Sequence, residues 1–527
     1  MSQLSVVFIL ILGGILLTPV AERLRVPAPV LTTVFGLGLG LVPSMPDLAI
    51  PPDVILPALL PPLLYAAARR SSWREFASNV RPILVLAVVL VFVTTVAVSL
   101  VAASVHPALP IGAAVVLGAI VSPPDAAAVT TIAGRLGLPR RLVTVLEGEG
   151  LFNDVTALTL YQVAVAGVVA GSFSVWRAAG EFLYAGIAAV AIGLLVGVLA
   201  KVLFDRLSDS RLTTALSLLV PYVAYIPADE IDASGVLAVL VTAFYLGARS
   251  TDPDDIEGRL VRGSFWDVTE LMVTAITFGL IGLELVGVWK AVGTAAASLI
   301  WVAILIGVVV IGVRALWMAL AYLFTRAGRL WSGRALGWRD AVVVGWSGMR
   351  GVVTIVTALA LPFTTDTGEP FTGRDQILFV SMVVVVLTLL LQGLTLPWLI
   401  GRIGLRVDAV KEAAATRKVY DVARRAAEER LDELLAEYKL PAEAVDRFRA
   451  RYRLMFADEE EELPDPAQRD ERQEMIARRD KLRTVERELL SAARHALVAA
   501  RARPGFDPTV IDQVMSEVDV RSAALGS

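Results

Sequence analysis

The chain has 527 residues, 56% of them hydrophobic and 19% charged, with a net charge of −3 and a mean hydropathy of +0.68. That balance excludes an ordinary soluble domain, points to a polytopic membrane protein, and leaves no expectation of a nucleic-acid partner. No cysteine is present and only two histidines are, His106 and His495, so disulfides, thiolate metal sites and histidine relays are excluded and proton chemistry falls to carboxylates.

The N-terminal "MSQLSVVFILILGGILLTPV" lacks a basic leader and a small-residue cleavage site, so it reads as a first spanning helix and not as a signal peptide. Apolar stretches of roughly bilayer length follow at 28–43, 53–68, 82–104, 110–133, 142–169, 180–200, 212–227, 234–248, 265–286, 291–323, 340–362 and 376–401, thirteen with the first at 3–20. Basic residues collect in alternate connections: Arg23 and Arg25; Arg69 to Arg81; Arg135 to Arg141; Lys201 to Arg211; Arg249 to Arg262; Arg326 to Arg339; Arg402 and Arg406. The intervening connections hold Arg177, Lys290 and Arg374. By the positive-inside rule the N-terminus lies outside and the C-terminus in the cytoplasm of a plasma (inner) membrane.

After about residue 405 the composition turns polar, with two amphipathic helical patterns joined by the acidic "ADEEEELPDPAQRDE". The expected organisation is a transmembrane domain at 1–404 and a cytoplasmic helical domain at 405–527. Neither contains a phosphate-binding loop, so no enzyme activity and no bound cofactor are expected.

Spans five and twelve are interrupted, by "VSPPDAAAV" and "GWSGMRGVV", at corresponding positions if spans 1–6 and 8–13 are inverted repeats. Paired interruptions of that kind mark a midplane site built from broken helices that cross. Pro123 and Pro124 remove two backbone donors, which frees carbonyls around Ile120 to Ser122 as hard oxygen ligands suited to a small monovalent cation. Ser122, Pro123 and Pro124 are therefore candidate unwound-helix ligands, with Asp125 beside them.

The sixth span carries "EGEGLFNDVTAL", with Glu147, Glu149 and Asp154 in apolar surroundings. Each ionised group at the bilayer centre costs about 2.5–3.5 kcal/mol, so Asp125, Glu149, Asp154 and Arg350 must face one another or a wet cavity. Three acids stand against one base. Glu149 and Asp154 point about 140° apart on a helix and cannot share a partner, so Glu149 is assigned to Arg350, and two acids are left needing a cation or a proton. Glu147, near the cytoplasmic end, reads as a funnel acid. Glu270 and Glu284 read as packing or interface residues, and Asp229, Glu230 and Asp232 as a solvated outer mouth. "VFGLGLGLV" reads as close helix packing.

"IVSPPDAAAVTTI", "RLGLPRRLVTVLEGEGLFNDVTALTLYQ" and "GWSGMRGVVTIVTALALP", with "LPPLLYAAA" and "ASGVLAVLVTAFYLG", resemble the bacterial NhaP-like branch of the monovalent cation/proton antiporters, the sodium/hydrogen exchangers, over roughly residues 5 to 402. The resemblance implies a homodimer of thirteen-helix subunits in an inverted repeat. It implies exchange at Asn153 and Asp154, Asp125 in the ion site, and a structural Glu149–Arg350 pair. It also implies electroneutral exchange, from the Asn–Asp form of the motif. Gly150 stands where many relatives have serine, so a hydroxyl ligand is missing. The expected function is antiport of a monovalent cation, sodium first and potassium second, against protons that compete for Asp154. The rival readings are a cation-coupled symporter of an organic anion and a membrane sensor acting through its tail.

Overall fold

The computed structural model describes residues 3–24, 26–43, 51–70, 73–125, 138–170, 175–207, 209–249, 256–326 and 337–405. The expected tail domain, and the half of span five after Asp125, lie outside the described residues. Within them the chain is helical, and β-structure is limited to one isolated bridge, Thr364 to Pro370.

The helices in chain order are α1 (Gln3–Leu24), α2 (Ala28–Gly40), α3 (Pro52–Arg70), α4 (Trp73–Ser78), α5 (Val80–Leu84), α6 (Leu90–Val105) and α7 (Ile111–Val121). They continue with α8 (Arg140–Val169), α9 (Val175–Arg206), α10 (Ser210–Glu230), α11 (Gly235–Arg249), α12 (Ile256–Val292) and α13 (Ala296–Arg326). The last four are α14 (Trp338–Trp346), α15 (Val352–Leu359), α16 (Arg374–Thr388) and α17 (Leu394–Ile403). A π turn, Val85–Val89, joins α5 to α6, and a second, Leu389–Gly393, joins α16 to α17. Each of the thirteen apolar stretches carries helix, although α2, α7 and α11 are shorter than a bilayer is thick. Seven helical runs among the described residues are long and apolar enough to cross a membrane.

Large apolar side chains are left exposed along α9, among them Leu183, Ile187, Leu195 and Leu199. In water such a face would be a liability; in a bilayer lipid covers it. Packing between helices relies instead on small residues. A Cβ on Gly36 of α2 would fall 2.0 Å from the Gly279 carbonyl oxygen, and one on Gly282 of α12 would fall 2.0 Å from that of Thr33. The backbones of α2 and α12 therefore touch where "VFGLGLGLV" foretells close packing. Gly282→Val is expected to destabilise the fold by about 1–3 kcal/mol or more through overpacking, read as a lower Tm in detergent. An unchanged Tm would mean the two helices are not held that close.

The two interruptions of the sequence are real breaks. α7 stops at Val121 and the chain runs without helix through Ser122–Asp125; α14 stops at Trp346 and α15 begins only at Val352.

Candidate functional site: the helix crossing

The two breaks meet. The Asp125 N–H donates to the Met349 carbonyl at 2.6 Å, and the Val352 N–H, the first of α15, donates to Asp125 Oδ2 at 3.2 Å. A carboxylate thus sits at a helix N-terminus, where orphan donors and the macrodipole both favour it. Gly351 permits this approach, because a Cβ there would fall 1.5 Å from Asp125 Oδ2. Gly351→Ala must displace the carboxylate, and a shift of about 1 Å at a reacting group can lose on the order of a hundredfold. With Asp125 as the cation ligand that the sequence resemblance implies, at least a tenfold weaker cation affinity is expected in a protein that still folds; an unchanged cation titration would remove Asp125 from that role.

At the other side of the crossing, α7 stops at Val121, and because the helix ends there the carbonyls of Val121 and Ser122 have no helical donor among the described residues; the Asp125 N–H, which would serve Val121, goes to Met349. Arg350 takes them: Nε donates to the Val121 carbonyl at 2.8 Å and Nη2 to that of Ser122 at 3.0 Å, while Nη1 donates to the Gly348 carbonyl. A guanidinium at a helix C-terminus is favoured by the same dipole. The Pro124 carbonyl accepts from Asn153 Nδ2 at 2.9 Å, and Ser122 Oγ donates to the Ala119 carbonyl at 3.0 Å. The carbonyls of Val121, Ser122 and Pro124 are engaged in holding the crossing together.

The ion pair is corrected too. Glu149 pairs with Arg314 of α13, not with Arg350: Nη2 donates to Oε2 at 2.9 Å and Nη1 to Oε1, a bidentate fork. Arg314 Nε donates to the Val344 carbonyl at 3.0 Å, which ties the pair to the last turn of α14. Arg350 interacts with both Arg314 and Glu149 through space, but its hydrogen bonds go to carbonyls. The physical reason lies in the two acceptors: the bare C-terminus of α7 claims Arg350, and Glu149 is left to the arginine on the neighbouring continuous helix. Arg314 was missed in the sequence, although its lone charge inside the apolar run 291–323 breaks the same insertion rule that drew attention to the acids.

The balance changes accordingly. Among the described residues of the crossing, three carboxylates stand with two guanidinium groups, so one negative charge is in excess where the sequence reading had two. Glu149, Arg314 and Arg350 are 1–2% exposed and Asn153 is 0% exposed, whereas Asp125 and Asp154 remain partly exposed. Asp154 is close enough to Asp125 for the two to repel, and among the described residues it has no hydrogen-bond or ion-pair partner. Asn153 Oδ1, fully buried next to it in the chain, has no hydrogen-bond partner among the described residues. On α8 the 140° separation of Glu149 and Asp154 does send them to different neighbours. Glu147 lies partly buried two turns before Asp154, and Asp229, Glu230 and Asp232 are exposed.

Comparison with known proteins identifies the family and the fold. The family model for the transmembrane part of sodium/hydrogen exchangers matches residues 7–402. An uncharacterized Na(+)/H(+) exchanger of Mycobacterium tuberculosis is 34% identical, covering 99% of this chain and 96% of that protein. A sodium, potassium, lithium and rubidium/H(+) antiporter of Bacillus pumilus is 29% identical over 71% of this chain and 58% of its own length. The structure of the sodium proton antiporter MjNhaP1 from Methanocaldococcus jannaschii superposes with a TM-score of 0.61 at 19% identity, covering 75% of this chain and 97% of that one.

Proposed function

The chain belongs to the sodium/hydrogen exchanger family, and from that premise we propose that it exchanges one monovalent cation for one proton at Asp154, without net movement of charge. The chain is accordingly a transmembrane antiporter and not an enzyme. What carries the finer reading is the single unbalanced negative charge at the partly exposed Asp125 and Asp154, beside a sealed Glu149–Arg314 pair and a sealed Arg350. One proton on Asp154 neutralises the excess, and so does one alkali cation between the two aspartates. The two cargoes therefore exclude one another, and each form of the site has the same charge when it turns between the faces of the membrane. No resident cofactor takes part; the ions are substrates.

Hard oxygens suit an alkali cation. Asp125 and Asp154 supply carboxylates and Asn153 Oδ1 an amide oxygen, which compensates in part for the absent hydroxyl at Gly150. Sodium is proposed as the main cation and potassium as the second, and the four alkali cations named for the Bacillus pumilus relative support a broad choice. The proposed setting is a homodimer in the plasma membrane, N-terminus outside and C-terminus in the cytoplasm. Residues 1–404 form the antiporter and 405–527 a cytoplasmic helical domain.

Proton efflux from proteoliposomes, driven by sodium, potassium or lithium with and without an imposed voltage, tests this. Expected is cation-dependent efflux whose rate ignores the voltage. Efflux that tracks the voltage would overturn electroneutrality, and cation uptake that moves no protons would favour a symporter.

A further inference from the structure

Gln392 is fully buried in the π turn Leu389–Gly393, and among the described residues neither its Oε1 nor its Nε2 has a hydrogen-bond partner. A carboxamide offers two donors and two acceptors, and buried polar side-chain atoms nearly always find a partner in protein or ordered water. Leaving both ends dry is unfavourable. The exchange mechanism makes no use of this residue.

The neighbours of the turn narrow the identity of the missing partner. Just before it, Thr388 Oγ1 accepts from the Arg350 N–H at 3.1 Å; just after it, Thr395 Oγ1 accepts from Trp346 Nε1 at 2.9 Å. Between them Gly393 packs on Met349, whose Sδ would lie 3.2 Å from a Cβ at that position. The π turn therefore runs alongside the unwound segment Ser347–Gly351, with Gln392 between the points of attachment. The charged groups on that segment are Arg350 and, held at Met349 and Val352, Asp125. Their opposite signs favour neither a cation nor an anion at the turn, and the Arg350 guanidinium is already committed to three carbonyls. What fits is a small neutral molecule that both donates and accepts.

We propose that Gln392, with Thr388 and the backbone of Ser347–Arg350, forms an internal water-binding site, separate from the Asp125–Asp154 site. A bridging water is nearly as favourable as a direct hydrogen bond and can change partners without leaving a backbone group bare. The crossing needs such a partner when its hydrogen bonds are remade as the ion site turns between faces. π turns recur at functional sites because they open the helical ladder locally.

Hydroxyl-radical labelling generated by radiolysis of bound water tests the site in the full-length protein. Met349 and Met382 are both 0% exposed, so bulk solvent labels neither readily. Expected is labelling of Met349 several-fold faster than Met382, falling to the Met382 rate in Gln392→Leu and partly retained in Gln392→Asn. Exchange turnover should fall in Gln392→Leu while the half-saturating sodium concentration stays unchanged. Equal labelling of the two methionines in the unaltered chain, a comparison that needs no variant, would overturn the proposal. So would Met349 labelling that ignores the leucine, and an unchanged turnover would remove the water from the transport cycle.

Discussion

Asp154→Asn is expected to abolish cation-dependent proton movement in proteoliposomes while the protein still folds and purifies. The substitution removes the charge in excess and keeps the shape. A unit charge about 3 Å from a bound cation, at an effective dielectric of about 20, contributes roughly 5 kcal/mol, which corresponds to more than three decades in affinity. The amide also has no acidic proton to trade. Since the carboxylate lacks an ion-pair partner among the described residues, its loss strands no buried cation, and stability should change little. Exchange that survives in Asp154→Asn would refute the assignment.

Arg314→Ala is expected to produce the opposite pattern, a loss of fold in the first place and of transport only as a consequence. It leaves Glu149 ionised or protonated in a closed interior without its fork of donors, and it bares the Val344 carbonyl at the end of α14. Breaking a buried pair from one side costs about 3–5 kcal/mol, a large part of the 5–15 kcal/mol by which domains are stable. Arg314→Lys should restore only part of it, because an ammonium cannot reproduce the bidentate contact. The paired replacement Glu149→Gln with Arg314→Met removes both charges and should recover much of the stability, since apolar substitutes for buried ion pairs are often neutral. Thermal unfolding in detergent measures all three. Should Arg314→Ala unfold at the same temperature as the unaltered chain, the pair does not hold α8 to α13.

The helices, the breaks and the acids were legible in the sequence because each obeys a local rule. Thirteen apolar runs declare themselves by length, "SPPD" and "GWSGMRG" by residues that cannot continue a helix, and Asp125 and Asp154 by charge in an apolar run. The glycines of "VFGLGLGLV" signal close packing with no need to know the partner. Pairing is different. Glu149 and Arg314 lie 165 residues apart, and nothing local distinguishes Arg314 from Arg350 as the partner. The choice depends on which acceptor each guanidinium reaches once α7, α13 and α14 are packed. The carbonyls of Val121 and Ser122 follow the same logic: the helix end that leaves them bare was readable from the prolines, their capture by an arginine 228 residues further on from Ser122 was not. The charge balance could have been read more fully, because Arg314 stands alone in an apolar run as plainly as the acids do.

The proposed exchange needs one negative charge in excess at the crossing, satisfied by a proton or by an alkali cation and never by both. Titrating sodium into the purified protein in weakly buffered solution, at a pH where the site is protonated, measures this directly as protons released per cation bound. One proton per cation, and none in Asp154→Asn, is the predicted result. Cation binding that releases no proton, or releases two, would contradict it.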